Sequence, residues 1–365
     1  MNNNIDAVYI HIPFCTTICS YCDFCKIYYE SKYIDDYLNA LEKEIKTFYN
    51  NELIKTLYIG GGTPSSLTLN ELEKLLKITK LFNLDKNMEF TVELNVEHIN
   101  EEMLKLLYKY KVNRLSIGVQ TFNHQLLKLL NRNHYKKEVI EKINLAKKIG
   151  FNNINVDLIY AIPNQTKEDL KKDLNILLGL DINHISTYSL IIEPRTLLYI
   201  NNVQQIDDML DFEMYQIINE ILTKNGFKHY EISNYSKEGY ESKHNLKYWN
   251  NLEYYGFGMG ASGYVNNVYY TNTKNINQYI NGHYRNEEIF IDLETKIENE
   301  FILGLRKING INKNDFLKKY NCDIYSIKNV EKLVKEKKLL DDGTNIYINP
   351  KYLYISNEIL INFVR

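Results

Sequence analysis

The segment AVYIHIPFCTTICSYCDFC, residues 7–25, joins a β-rich run to a loop that holds four of the chain's five cysteines. Ala7–Ile12 alternates small, branched and aromatic residues as a strand does, and Pro13 ends it. Beyond the proline stand Cys15, Cys19 and Cys22, with three and then two residues between them. Three thiolates so spaced can converge from one loop on a 4Fe-4S cubane, leaving one iron open to a chelating ligand. Zinc is the alternative. Structural zinc takes four ligands, and Cys25 could be the fourth. Bacterial ferredoxins space their cysteines differently. An odd cysteine count without a secretion signal argues against a disulfide framework, and beyond the zinc alternative the sequence leaves the roles of Cys25 and Cys322 open.

Working outward, five more β-rich apolar runs follow at 55–59, 89–94, 113–119, 152–159 and 184–190. Helical stripes fill the gaps. Ile34, Leu38, Leu41, Ile45 and Phe48 fall on one helix face, and Leu69, Leu72, Leu75 and Leu76 on the next. A helix ending near Ile149 runs into Gly150, a C-terminal cap. Alternating βα units predict an α/β fold with a parallel sheet and right-handed crossovers. Six of them predict a partial (βα)6 TIM-like barrel, although a doubly wound sheet would give the same rhythm. Four of the five prolines, Pro13, Pro64, Pro163 and Pro194, come just after a predicted strand. In parallel α/β folds the site lies at the C-terminal strand ends, so these residues and the cysteine loop mark one rim.

The rhythm weakens after a helix around 210–222. Residues 227–233 read as a further strand, and 243–263 as an irregular region rich in aromatics and glycine. From Lys296 amphipathic helices take over, with a short β segment near Ile346 and Tyr354. The expected division is a barrel over 1–230, a connecting region over 231–290, and a small C-terminal α/β domain over 291–365.

Net charge is -2, from 44 basic and 46 acidic residues. No basic block appears, which excludes the electrostatic footprint of a nucleic-acid binder. No apolar run approaches the ~20 residues of a membrane span. Met1 to Asp6 is polar and leads into a strand rather than a signal peptide. The expectation is a cytoplasmic protein.

Gly60-Gly61-Gly62-Thr63-Pro64 follows the second strand. One glycine suffices for a turn; three in a row mean close backbone approach to something, and bare backbone groups can hold an amino acid's polar end. Taken singly, Glu93 and Asp157 would be solvated strand-end charges.

The spacing CxxxCxxC with an aromatic before the third cysteine, Tyr21 here, resembles the radical S-adenosylmethionine superfamily. The phrase YIHIPFC…YCDF resembles the branch that holds oxygen-independent coproporphyrinogen III oxidase and its haem-chaperone relatives. The resemblance covers nearly the whole chain and runs on through HISTYSLIIEP, YEISNY and FILGLRK. It implies a radical S-adenosylmethionine barrel with the cluster on Cys15, Cys19 and Cys22. It implies cofactor contacts at Tyr9, Tyr21, Gly61, Gly62 and Thr63, and at Glu93, Gln120, Arg132 and Asp157. Carboxylates suit the cofactor's ammonium and ribose hydroxyls, and Arg132 suits its carboxylate.

Two departures separate the branches. The oxidase carries a cysteine two positions after the third, where this chain has Phe24; Cys25 comes one residue later, and neighbouring side chains on an extended loop diverge. The oxidase also has a longer N-terminal extension, whereas this chain reaches its first strand by Ala7. His244-Asn-Leu-Lys-Tyr248-Trp249 matches the HNxxYW motif associated with haem in the chaperone branch. Without the resemblance His244 would read as a satisfied structural histidine. With it, His244, Tyr248 and Trp249 are candidate haem contacts, an imidazole for iron and rings to stack on a porphyrin. His11 is a weaker candidate for a place beside the cluster. The resemblance implies haem as cargo, handed to acceptor proteins, respiratory ones at the membrane face. The alternative is oxidative decarboxylation of coproporphyrinogen III, in which a 5′-deoxyadenosyl radical takes hydrogen from a propionate.

Overall fold

The computed structural model describes residues 5–364, so Met1–Asn4 of the polar start, for which no leader was expected, lie outside it. Six strands form the centre: β1 (Ala7–Ile12), β2 (Leu53–Gly61), β3 (Asn83–Asn95), β4 (Arg114–Gln120), β5 (Asn153–Tyr160) and β6 (His184–Ser189). They lie parallel and side by side in chain order. That order decides what the rhythm left open. A doubly wound sheet reverses its winding at a switch point; here the winding never reverses, and the sheet is that of a partial barrel.

Between the strands run α1 (Ser31–Phe48), α2 (Leu69–Ile78), α3 (Glu101–Lys109), α4 (Lys136–Ile149) and α5 (Lys167–Leu178), with α6 (Asp208–Lys224) after β6. The stripe of α1 is buried at Ile34, Leu38, Leu41 and Ile45. A capping box between Thr68 and Glu71 starts α2, and Gly150 ends α4 at φ 122°. Strands β1 to β5 each present one apolar parity, such as Leu115, Ile117 and Val119 of β4, to a single core shared with the helices, and β6 adds Ile185. The other parity is polar and faces the barrel interior: Tyr58, Glu93, Arg114, Ser116, Asn155, Asp157 and His184. A chain of hydrogen bonds links several of these. Asn155 Nδ2 donates to Ser116 Oγ and to Asp157 Oδ1, both at 2.8 Å, and Asn155 Oδ1 meets His184 Nδ1 at 2.6 Å.

The segment read as irregular is ordered. Residues 243–263 hold α7 (Lys243–Trp249) and β9 (Tyr255–Phe257), which pairs parallel with β1 at the sheet's first edge. A three-residue strand is too short for alternation to register. Its glycine marks the approach: a Cβ on Gly256 would lie 1.8 Å from the Ser262 carbonyl oxygen. At the other edge, the strand expected over 227–233 is only β7 (Lys228–Glu231), and it returns antiparallel as β8 (Asn234–Ser236) against β6. A three-stranded antiparallel sheet follows, β10 (Ser262–Val265), β11 (Val268–Asn272) and β12 (Arg285–Phe290). Buried Glu44 of α1 ties it to the barrel by accepting from Gly258 N, Tyr279 Oη, Asn272 Nδ2 and Arg285 Nη1.

The last part of the chain begins with α8 (Leu293–Gly304) and α9 (Lys313–Tyr320). It has its own core, where Phe301 stacks on Phe363 and packs with Phe316, Leu333 and Ile346. Ile346 lies in a strand, as expected; Tyr354 does not, and sits in a turn beyond it. Among the described residues no helix is long and apolar enough to cross a membrane.

Candidate functional site

The loop after β1 is pinned at its base, where Phe14–Cys15 pairs parallel with Ile27–Tyr28. This turns Cys15, Cys19 and Cys22 into a cavity of ≈ 370 Å³ at the C-terminal ends of the strands. Cys25 does not line it. Its thiol packs where Gly260 leaves room, 2.5 Å from where a Cβ on that glycine would stand, and its carbonyl faces His11 Nε2 at 2.7 Å. Among the described residues no three His, Cys, Asp or Glu side chains are gathered for a single metal ion. A cubane asks for something else, since each thiolate meets a different iron. Burial pushes the Cys15 thiol up to about 11 and also raises Cys22, so loading a cluster must expel those protons.

The three glycines serve three different contacts. A Cβ on Gly60 would fall 2.7 Å from the Glu93 carboxyl; on Gly61, which has φ 115°, 2.7 Å from the His11 ring; on Gly62, 2.7 Å from the Pro13 carbonyl carbon. Bare backbone at Gly61 lets its N–H reach Glu93 Oε2 at 3.1 Å, while Tyr58 Oη donates to Oε1 at 2.7 Å. Burial nevertheless pushes the Glu93 carboxyl up to about 7; the Tyr58 hydroxyl opposes this and the Asp157 charge adds to it.

A register shift between Gly118 and Gln120 interrupts the β4–β5 ladder, and Gln120 takes φ 70°. A bulge of this kind re-aims a side chain, and Gln120 enters the cavity. Arg132 follows the short helix His124–Leu129; its Nη2 donates to the Gly118 carbonyl at 2.6 Å, and Nη1 lies 3.9 Å from Cys19 Sγ. Its Nε is buried without a partner, an open donor beside the thiols. Asp157 lines the same wall, raised by burial and held by Asn155.

Of the residues singled out from the sequence, Cys15, Cys19, Cys22, Tyr21, Gly61, Gly62, Thr63, Glu93, Gln120, Arg132 and Asp157 share this cavity. Tyr9 does not line it; its hydroxyl contacts His11 Nδ1 at 3.0 Å. The sequence reading passed over Ser116, Gly118, Tyr188 and Ile191, which also line it. The first two carried a signal, since they sit at alternate positions of a strand whose other parity is apolar.

The HNxxYW segment lies elsewhere. Glu89, near the N-terminal strand ends, accepts from the amides of Lys243 and His244 and so anchors α7 there. Buried His244 meets Thr56 Oγ1 through Nδ1 at 3.0 Å and Tyr248 Oη through Nε2 at 2.7 Å. Burial lowers it to about 3. As placed, neither ring nitrogen is free for iron. Tyr248 walls a second cleft, ≈ 300 Å³, with Tyr254, Tyr264, Tyr269, Ile302 and Leu303. The Trp249 ring lies under the Arg306 guanidinium at 5.9 Å, and its Nε1 is buried without a partner.

A parallel six-stranded partial barrel carrying three cysteines on the loop after its first strand, with a glycine run after its second, defines a class, the radical S-adenosylmethionine proteins. The pattern of the Radical SAM superfamily matches residues 9–177. The chain is 39% identical to the haem chaperone HemW of Lactococcus lactis, covering 98% of this chain and 97% of that one. It is 39% identical to HemW of Bacillus subtilis, over 98% and 99%. Among solved structures it superposes on the coproporphyrinogen III oxidase HemN of Escherichia coli with TM-score 0.87 and 22% identity, over 99% of this chain and 90% of that one, a likeness of fold. The chain belongs to the HemW family of the radical S-adenosylmethionine superfamily.

Proposed function

We propose that this protein is a haem-binding chaperone that carries a 4Fe-4S cluster on Cys15, Cys19 and Cys22 with exchangeable S-adenosylmethionine beside it, and that passes haem to acceptor proteins. The observation that carries the reading is the single cavity in which three thiols meet Glu93, Gln120, Arg132 and Asp157. When bound, such a cluster offers its open iron to the cofactor and can supply an electron. The chain's own residues do the rest. Glu93 and the Gly61–Gly62 backbone receive the ammonium end, Arg132 the carboxylate and Asp157 the ribose hydroxyls. Phe24, 64% exposed on the rim, offers no thiol for decarboxylation chemistry.

The haem reading comes from the relatives' names and from HNxxYW. Its seat is the tyrosine cleft. Tyr248 presents ring surface there, with His244 holding its hydroxyl, and Trp249 closes the end of α7. Acceptors would be respiratory proteins reached from the cytoplasm. The test is anaerobic reconstitution with haem and coproporphyrinogen III offered in parallel. A saturable Soret change without turnover is expected, weakened by Tyr248→Ala. Protoporphyrinogen formed over many turnovers would restore the oxidase reading.

A further inference from the structure

Below the cofactor cavity the barrel interior holds one guanidinium that the site described so far does not use. Arg114 opens β4, opposite Thr91 of β3 and Asn153 of β5, and is 2% exposed. Strand parity puts it on the face of Ser116 and Gly118, which line the cavity, one and two steps further along. Its Nε has no hydrogen-bond partner, and neither has Oγ1 of Thr91 across the ladder. A charge so deeply buried is costly unless other charges answer it. Two buried carboxylates do so from neighbouring strands, Glu93 and Asp157.

We infer that Arg114 is a positioning residue for the cofactor, the fixed cation on the same barrel face that favours the ionised forms of Glu93 and Asp157, the forms that receive an ammonium and ribose hydroxyls. The inference rests on the cofactor reading above. The Arg114 charge opposes the upward push of burial on both carboxyls. It also helps to keep His244 and His184 neutral; the second buried cation, Arg132 on the cavity wall, acts on Asp157 in the same direction. Around Glu93 the other titratable groups are Tyr9 of β1, Tyr58 of β2, Asp157 of β5, Tyr188 of β6 and Tyr248 of α7, with His11 of β1, kept neutral by burial, against Gly61 and Arg132 on the same cavity wall. Burial raises every one of these tyrosines, so each stays neutral through the neutral range. Of the two cations, Arg114 is the one whose charge lowers Glu93, whereas Arg132 acts on Asp157.

The test is equilibrium binding of S-adenosylmethionine to the anaerobically reconstituted protein from pH 5.5 to 9, each variant checked for cluster content. Wild type should bind more tightly as pH rises through about 7. Arg114→Gln should move that midpoint up by about one unit or more, the usual effect of losing an adjacent opposite charge, and weaken binding at pH 7 about fivefold or more. Arg114→Lys should restore the wild-type midpoint. Coincident midpoints in wild type and Arg114→Gln, or equal shifts in Arg114→Gln and Arg114→Lys, would overturn the inference. If Arg114→Gln does not fold, the double variant Glu93→Gln, Arg114→Gln decides. Removing cation and carboxylate together should recover the fold, whereas continued failure would mean that Arg114 acts by packing alone. Failure of wild type to bind the cofactor at any pH would sink the cofactor reading itself, a separate result.

Discussion

Two groups on the cavity wall make the sharpest expectations at the scale of single residues. Cys15, Cys19 and Cys22 share the cavity and Cys25 does not. Anaerobic reconstitution of Cys→Ser variants should therefore abolish cluster absorbance for each of the first three and leave it for Cys25→Ser; equal loss in Cys25→Ser would remove the three-ligand assignment. Glu93 gives a pH signature. An ammonium is held by the ionised carboxylate, and burial has pushed this carboxyl up to about 7. Below that pH, binding must first remove a proton. The affinity for S-adenosylmethionine should thus fall about tenfold per pH unit on the acid side and level off above about pH 8. Glu93→Gln should bind weakly with no such slope. A slope that survives that substitution would assign the titration to another group.

The element that invites a stability test is α7. Its histidine is neutral in the folded state because burial lowers it to about 3, against the ordinary value near 6.5. The sign follows from proton counting. The unfolded chain takes up a proton below about pH 6.5, the folded one not until about pH 3, so stability is full above 6.5 and drains as pH falls between the two. At pH 5 the loss from His244 alone is about 2 kcal/mol. His11 and His229, each lowered by burial to about 4, add to it. Urea unfolding at pH 7.5 and 5 should show the decline, and His244→Gln should show less of it from a lower start. Identical declines in both proteins would place the effect elsewhere. A histidine buried with both nitrogens engaged and one reaching for iron look the same in sequence, and only the surrounding Thr56, Tyr58 and Tyr248 distinguish them.

Across the whole molecule, the two candidate binding regions occupy opposite ends of one barrel. The cavity lies beyond the C-terminal strand ends, whereas α7 is anchored at Thr56 and Glu89; five residues of strand separate Thr56 from Gly61, about 16 Å. Tyr58 touches both regions, hydrogen-bonded to Glu93 and packed against His244 at 5.1 Å, but the three thiols and Tyr254 stand away from that link, and substitutions without a shared partner act nearly independently. A triple Cys15→Ser, Cys19→Ser, Cys22→Ser variant should therefore keep a saturable haem titration, while Tyr254→Ala should weaken haem and leave S-adenosylmethionine affinity within about twofold. Loss of haem binding in the cluster-free variant would put cargo and cluster in one site.

The sequence by itself determined the six βα units, the cysteine spacing, the glycine run and the rim on which they fall, because each is a local pattern: alternation, helical stripe, proline stop, thiol interval. The three cysteines and the glycine run follow two consecutive strands, so their meeting was already implied by parallel neighbouring strands. Tertiary structure alone decided the rest. It chose a barrel over a doubly wound sheet through strand order. It placed β9 beside β1 across more than two hundred residues of chain, a pairing that leaves no trace in a three-residue strand. It took Tyr9 out of the cavity and gave both nitrogens of His244 to neighbours. It also set Arg114 beneath Glu93 and Asp157, for a charge at the start of a strand reads as solvated until the fold closes around it and leaves other buried charges to answer it.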